Sequence, residues 1–369
     1  MDRLRVLFIS HSAQLMGAEL SLVELLENLD LNSLEPLVLV PGKGPLSQEL
    51  DRLGVRWLKQ PLPWWMGRRN WPPVFAFRLC IAVWRRRAVT HLFMTIKPDV
   101  VYTNSLVTPM GAWVAKSLGI PHIWHVRELP EGNSSLRTPL SLALIYRCVN
   151  AWSTLVACNS QAVARQLRSH GVRASVLHNP VKAPDRGELS SEFAASCRPR
   201  MLVVGTISGP KGQEVAIRAL PHLSEGSLHL VGAGSSRYVE RLSNLANALG
   251  VGERVHFYGH QAAVGSFFEG ADLVIVPSAA EAFGRTVVEA MLWGRQVLGS
   301  DSGALVDLLP DEARFRVGDP LALAAGVRRL AGADPSETVL RARAEILARH
   351  DPTSVGSYVT GVIREVSFG

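Results

Sequence analysis

Residues 272–304 read DLVIVPSAAEAFGRTVVEAMLWGRQVLGSDSGA, and this stretch decides the fold. Leu273 to Val276 is a short apolar run closed by Pro277 and Ser278, the pattern of a buried strand. Gly284 permits a tight turn, and Thr286 to Trp293 then carries helix formers with an apolar face as far as Gly294. Val297 and Leu298 open the next strand, which stops at GSDSG. Amides around Phe283, Gly284 and Arg285 would point out of a helix N-terminus, where free N–H groups and the helix dipole attract phosphate. Glu281 before the turn and Glu289 inside the helix flank that spot on opposite sides. Carboxylates accept hydrogen bonds from sugar hydroxyls, so a diphosphate carrying a sugar at each end fits.

The set Ser278, Glu281, Phe283, Gly284, Glu289, Ala290, Gly294 and Ser302-Gly303 resembles the Glu-x7-Glu signature of the family-4 retaining glycosyltransferases. The resemblance implies an α/β protein of the GT-B fold, two Rossmann-like, doubly wound parallel-sheet domains facing across a cleft. Length agrees, since 369 residues exceed one core and suit two domains of about 150–200 residues. Residues 1–183 are expected as an acceptor-binding domain and 201–345 as the nucleotide-sugar domain. Between them, 184–200 is polar with Pro, Gly and Ser, which suits a linker. In the family the last helix crosses back to the first domain, and residues 346–369 are placed to do so.

Hydrophobic content of 47% with 19% charged residues indicates a well-buried globular chain. A net charge of +7 favours a polyanionic partner: nucleic acid, phosphosugar or anionic membrane. Cys80, Cys148, Cys158 and Cys197 are widely spaced without a C-x-x-C pair, and read as buried thiols of a reducing cytoplasm. The opening MDRLRVLFIS reads as strand one, not a signal peptide, because its apolar run is short and lacks a small-residue cleavage site. No stretch reaches about 18 uninterrupted apolar residues, so no spanning helix is expected. The expected location is cytoplasmic, peripheral on the inner face of the membrane.

In the first half, alternating short strands and helices argue for a doubly wound sheet with its ligand at the carboxyl ends of the strands. Residues 61–97 break that rhythm. They hold Arg68, Arg69, Arg78, Arg85, Arg86, Arg87 and Lys97, no acidic residue, and Trp64, Trp65, Trp71 and Trp84. Tryptophan and arginine beside apolar side chains make up interfacial segments, and basic clusters draw them to anionic lipid. The alternative is a core helix from Val74 to Trp84 with solvated arginines. Contact with acceptor or membrane is expected at Trp64, Trp65, Arg68, Arg69 and Glu128. Nucleic acid is not an expected partner, because no recognisable binding motif surrounds these aromatics.

Residues 16–26, MGAELSLVELL, resemble the family's Gly-Gly-Ala-Glu opening, in which Gly17 would let the backbone approach the donor phosphates. His125, after the run Ile120 to Trp124, resembles the family histidine that faces the donor sugar, and Glu128 is in reach to orient its imidazole. Cys158-Asn159-Ser160 and His178-Asn179-Pro180 resemble family segments near the cleft and are read as scaffold. Residues 205–212, GTISGPKG, resemble the Gly-Arg-(Leu/Ile)-x-x-x-Lys-Gly loop, whose two cations neutralise the donor diphosphate. Lys211 and Gly212 match, but Thr206 stands at the arginine position. Either another cation such as Arg285 compensates, or catalysis leans on Lys211 and the helix terminus. Gly259-His260 resembles the loop that holds the nucleotide base.

The implied function is retaining transfer of a hexose from a UDP- or GDP-sugar donor to a lipid-linked or glycan acceptor, in cell-surface polysaccharide or glycolipid biosynthesis. The expected donor-binding residues are Gly17, Thr206, Lys211, Gly259, His260, Glu281, Phe283, Gly284, Arg285, Thr286 and Glu289, with His125, Lys211 and Glu281 catalytic. No cofactor and no metal is expected, because fixed donors and Lys211 supply the positive charge and no Asp-x-Asp pair ends a strand. Other readings stay open. A catalytically silent nucleotide-binding partner subunit is suggested by Thr206. A sugar-nucleotide epimerase or hydrolase of the same fold, and transfer to a small-molecule aglycone, are the others.

Overall fold

Apolar runs in the first half form strands β1 (Leu4–Ile9), β2 (Leu34–Val40), β3 (Arg56–Lys59), β4 (Val100–Thr103), β5 (His122–Val126), β6 (Leu155–Cys158) and β7 (Ala174–Val176) in this computed structural model, which describes residues 3–67, 72–131 and 136–368. They pair in parallel in the order β3-β2-β1-β4-β5-β6-β7. Val6, Leu7, Phe8 and Ile9 of β1 are all fully buried, as a central parallel strand covered on both faces demands. The strand order reverses between β1 and β4, which sets the loops after these two strands side by side at the carboxyl edge. Around the sheet lie α1 (Gly17–Asn28), α2 (Pro45–Arg52), α3 (Pro72–Ile96), α4 (Met110–Leu118), α5 (Leu142–Trp152) and α6 (Gln161–Ser169).

The second half repeats the scheme. Strands β8 (Arg200–Val204), β9 (Ser227–Val231), β10 (Val255–Gly259), β11 (Leu273–Val276), β12 (Val297–Ser300) and β13 (Arg314–Phe315) form a parallel sheet in the order β10-β9-β8-β11-β12-β13. Its helices are α7 (Ser191–Ala195), α8 (Gln213–Ala219), α9 (Ser236–Ala248), α10 (Gly265–Gly270), α11 (Arg285–Leu292), α12 (Leu305–Leu308), α13 (Pro320–Leu330) and α14 (Glu337–Arg349), and α15 (Pro352–Phe368) ends the chain. The chain divides into two units, Met1–Pro180 with His350–Gly369, and Val181–Arg349. In the first unit α15 lies against α1, with Val355, Val359 and Ile363 in the same apolar core as Leu22, Leu25 and Leu26.

Three expectations need correction. Residues 184–200 are not a free linker: Phe193 is fully buried in the second core, and the carbonyls of Asp185 and Arg186 accept from the amides of Gly265 and Ser266. One phenylalanine at a helix turn outweighs the polar composition around it. The Trp-rich window holds a 25-residue helix, Pro72 to Ile96, longer at both ends than the Val74 to Trp84 helix of the alternative reading. Of the four cysteines, which are free thiols, Cys158 is buried but Cys80 and Cys197 are exposed. No helix among the described residues is long and apolar enough to cross a membrane.

Candidate active site

Loops at the carboxyl ends of β8 and β11 build the site in the second unit. Gly212 has φ +71°, and a Cβ there would stand 1.9 Å from the Pro277 carbonyl oxygen, so only glycine lets the lysine loop close onto the end of β11. The preceding residue, Lys211, then donates from Nζ to Glu281 Oε2 at 2.8 Å. Burial pushes the Glu281 carboxyl up, but the Lys211 charge and hydrogen bonds from Lys211, Ser278 and the Gly284 amide outweigh it and hold the carboxyl below its ordinary value. Glu281 is therefore ionised at neutral pH.

Gly284 caps α11 in the left-handed region, φ +86°, with its N–H 3.4 Å from Glu281 Oε1. The next amides, of Arg285 and Thr286, start the helix and give the phosphate-type terminus expected from the sequence. Phe283 turns its ring inward, so only its backbone is available to a ligand. The Thr286 hydroxyl donates to the Val204 carbonyl at 3.4 Å, seating the first turn of α11 on the end of β8. Arg285 Nε donates to Glu289 Oε1 at 2.7 Å. Each cation thus meets a carboxylate within the loop-and-helix motif. Thr206 uses its carbonyl to accept from Gln213 Nε2 at 3.1 Å. Gly259, the last residue of β10, and His260 after it are exposed, and the Gly259 carbonyl accepts from Gly232 N at 2.7 Å, joining two glycine turns.

In the first unit, His125 lies inside β5 and is almost fully buried. The Tyr102 hydroxyl donates to His125 Nδ1 at 2.5 Å. Burial pushes the Tyr102 phenol up to about 12, so it keeps its proton. Burial first, then the Arg127 charge, hold the imidazole well below its ordinary value. The ring is neutral; with Tyr102 on Nδ1 its proton sits on the buried Nε2, where a hydrogen bond to the Leu177 backbone raises the imidazole without offsetting burial and Arg127. Glu128 does not orient this ring. Its carboxylate accepts from the Ser105 hydroxyl, from Leu106 N at 2.9 Å and from Arg127 N at 3.0 Å, because the backbone after β5 turns it toward the end of β4.

Arg127 ties the strand ends together. Its Nε donates to Asn104 Oδ1 at 2.7 Å and its Nη1 to Asn179 Oδ1, while Asn104 Nδ2 donates to the Ala18 carbonyl at 3.0 Å. Gly17, the first residue of α1, is exposed, and a Cβ there would meet nothing within 4 Å, so no internal contact demands glycine. Trp64 is half-buried with its ring 5.6 Å from that of His11. Trp65 is buried, stacked between Trp124 and Trp152 at 5.7 and 6.2 Å, and its indole donates to the Leu106 carbonyl. It is core, not contact surface. Arg68, Arg69 and Trp71 lie outside the described residues.

One pair went unread in the sequence. Glu19 is 1% exposed, and its Oε1 lies 3.4 Å from His11 Nδ1. Burial, above all, raises its carboxyl to about 7. An acid in a first helical turn reads as a solvated dipole partner. The contrary signal was its position three and seven residues before the buried Leu22 and Leu26, on the inward stripe of α1.

Comparison with known proteins places this geometry. The family described as "Glycosyl transferase 4-like domain" matches residues 16–180, and that described as "Glycosyl transferases group 1" matches residues 188–345. The chain belongs to the group 1 glycosyltransferases. Among curated members of the family, an uncharacterised glycosyltransferase of Methanocaldococcus jannaschii is 36% identical over 115 residues, 30% of each chain. A D-inositol 3-phosphate glycosyltransferase of Catenulispora acidiphila is 26% identical over 237 residues, 56% of this chain and 57% of that one. The matches therefore span less than two thirds of these relatives' lengths. Anabaena HepE, solved with UDP and glucose, superposes with a TM-score of 0.77 at 21% identity, covering 98% of this chain and 100% of that one. Sucrose-phosphate synthase from Thermosynechococcus elongatus does so with a TM-score of 0.74 at 17% identity, over 99% of both chains. At such identities the likeness concerns the fold: two parallel-sheet α/β domains of the GT-B class.

Proposed function

We propose that this group 1 glycosyltransferase moves a hexose from a nucleotide diphosphate sugar to an acceptor hydroxyl with retention at the anomeric carbon. The observation that carries the reading is the Lys211–Glu281 pair beside the α11 terminus, with Glu289 one turn into the helix. The diphosphate would lie on the amides of Gly284 to Thr286 and draw Lys211 off Glu281, which frees that carboxylate for the sugar hydroxyls. Glu289 would take the ribose hydroxyls, and Gly259 and His260 would border the base. His125, a neutral imidazole, keeps its assignment as a catalytic residue in this reading. As the anomeric bond to the phosphate oxygen breaks, the acceptor oxygen bonds to the same face and its proton passes to the leaving phosphate. Lys211 and the fixed amides stabilise the charge that develops on that phosphate, so the step needs no metal. HepE was solved with UDP and with UDP-glucose, which favours a UDP-sugar over a GDP-sugar as donor.

The acceptor in this reading is lipid-linked or a growing glycan of the cell surface, met at an anionic membrane face from the cytoplasm. Thr206 favours a second reading, a silent subunit that binds nucleotide weakly and transfers nothing. A thermal-shift panel of nucleoside diphosphates and their sugars, run with chelator, tests the donor site, and transfer from the sugar nucleotide it selects separates the two. A rise in midpoint with one base supports the donor site, since a ligand of the folded state stabilises in proportion to occupancy. No rise with any of them would sink the donor reading. In the second measurement, Glu281→Ala abolishes transfer while nucleoside diphosphate affinity stays within about threefold of wild type; surviving transfer would remove Glu281 from the sugar site.

A further inference from the structure

Helix α3 carries an outward face unlike a solvated one. Phe77, Cys80, Trp84, Arg87, His91 and Met94 recur at steps of three and four residues, and all six are exposed. Phe77 is 67% exposed, Trp84 78% and Met94 59%, with Val83 beside them at 58%. The opposite face is well used: Ala82, Val89 and Phe93 are buried in the first-unit core. The apolar stripe from Phe77 to Met94 is about 25 Å long at the rise of an α-helix. Large apolar side chains left in water along such a length mark a contact surface.

Charge selects what covers it. Arg85 donates to the Pro61 carbonyl at 2.9 Å, and Arg86 lies over the Trp113 ring at 4.6 Å, so these two serve the fold. Arg87 and His91 stand within the exposed stripe itself, and Lys97 follows at its end. No aspartate or glutamate occurs from residue 61 to residue 97. Asp99, the first acid beyond, accepts from Arg5 N at 2.7 Å. A second copy of the chain laid antiparallel on this face would set Arg87 near Arg87 with no acid on either helix to offset them. A surface with apolar depth and fixed negative charge is the complement. Tryptophan with arginine is the pair that settles at a headgroup boundary, the ring in the acyl margin and the cation among phosphates.

We propose that the outward face of α3 is a membrane-docking surface, with Phe77, Trp84 and Met94 entering the interface of an anionic bilayer and Arg87 pairing with lipid phosphate. It deepens the reading of a membrane-borne acceptor and replaces Trp65, which is core, as the aromatic contact. Lying along the surface, α3 would hold the first unit at the bilayer without crossing it.

The test is sedimentation of the full chain with vesicles of neutral phosphatidylcholine and with vesicles containing about 30% phosphatidylglycerol, with the nucleoside diphosphate thermal shift as a parallel control. Wild type partitions at least tenfold more strongly to the anionic vesicles, and this preference shrinks as salt rises. Phe77→Ser/Trp84→Ser loses the binding, and Arg87→Glu loses the preference for anionic lipid, while both keep the wild-type donor shift. Equal sedimentation of the double variant and wild type overturns the proposal. So does a wild-type dimer that the double variant splits, with no vesicle binding by either, which would give the face to a second copy. Brominated lipid decides without relying on a serine variant: it quenches wild type more than Trp84→Phe if the ring is inserted, and equally if it is not. A missing donor shift in wild type would sink the donor site and leave the vesicle result standing.

Discussion

Glu19 sits where acids usually meet water and the positive end of a helix, yet its carboxyl is sealed beneath His11. The charged groups facing it are Glu128 and Arg127 after β5, with His11 after β1; burial, helped by the Glu128 charge, outweighs the backbone hydrogen bonds and Arg127 and raises it from 4.5 to about 7. The sign follows from linkage. Between about pH 4.5 and 7 the folded chain keeps a proton that the unfolded chain has lost, so this group's contribution falls as pH rises and its full cost stands above 7. That cost is on the order of 3 kcal/mol. Glu19→Gln, permanently neutral, is expected to match wild type in unfolding free energy near pH 4 and to exceed it increasingly up to about pH 8. Denaturant titrations across that range check it. A gap that does not change with pH would mean that the carboxyl does not titrate within the fold. His125 behaves oppositely, since burial and Arg127 depress it and it stays neutral through the same range. Any imidazole-like inflection in activity between pH 5 and 8 then belongs to another group.

The elements around the donor loops explain why some of the chain was legible. β11 was readable to the residue because Leu273 to Val276 is apolar and Pro277 stops it, and α11 was displaced by only one residue because Gly284 fixes its start. Such signals are local. What failed was decided at a distance. Phe193 reaches a core that its polar neighbours do not announce, and Trp65 is claimed by Trp124 and Trp152 from other elements. The Arg285–Glu289 pair has an i, i+4 spacing that the sequence reading passed over in giving both residues to the donor, whereas the Lys211–Glu281 bond joins residues 70 positions apart and rests on a loop closure. Gly212 makes that closure, and a Cβ there meets the Pro277 backbone, which cannot swing aside as a side chain could. Gly212→Ala is expected to cost about 1–3 kcal/mol of stability from the strained backbone. It should also weaken nucleoside diphosphate binding at least tenfold by displacing Lys211. Equal affinity in a less stable protein would detach the lysine loop from the site.

At the scale of the molecule, the chain builds its first unit from two separated pieces, since His350–Gly369 belongs with Met1–Pro180. The return is secured by shape and by hydrogen bonds. Gly356 lets α15 lie so close to α1 that a Cβ would stand 2.0 Å from the Asn28 carbonyl oxygen, and the Thr360 hydroxyl accepts from Asp30 N at 3.2 Å. His350 Nδ1 and the Asn179 carbonyl, 2.8 Å apart, fasten the start of the segment to the loop after β7. Val355, Val359 and Ile363 bury completely or nearly so, at about 1.5–3 kcal/mol for each side chain. Their sum, on the order of 5 kcal/mol, rivals the whole stability of an ordinary domain. A chain ending at residue 349 should therefore lose the first unit while keeping the second, because none of the second core comes from α15. Calorimetry with limited proteolysis reads this directly. The expected result is one surviving transition, still raised by a nucleoside diphosphate, with cleavage confined to residues before 181. Two intact transitions in the truncated chain would mean that α15 covers the first unit without stabilising it, and Gly356→Ala would then be harmless too.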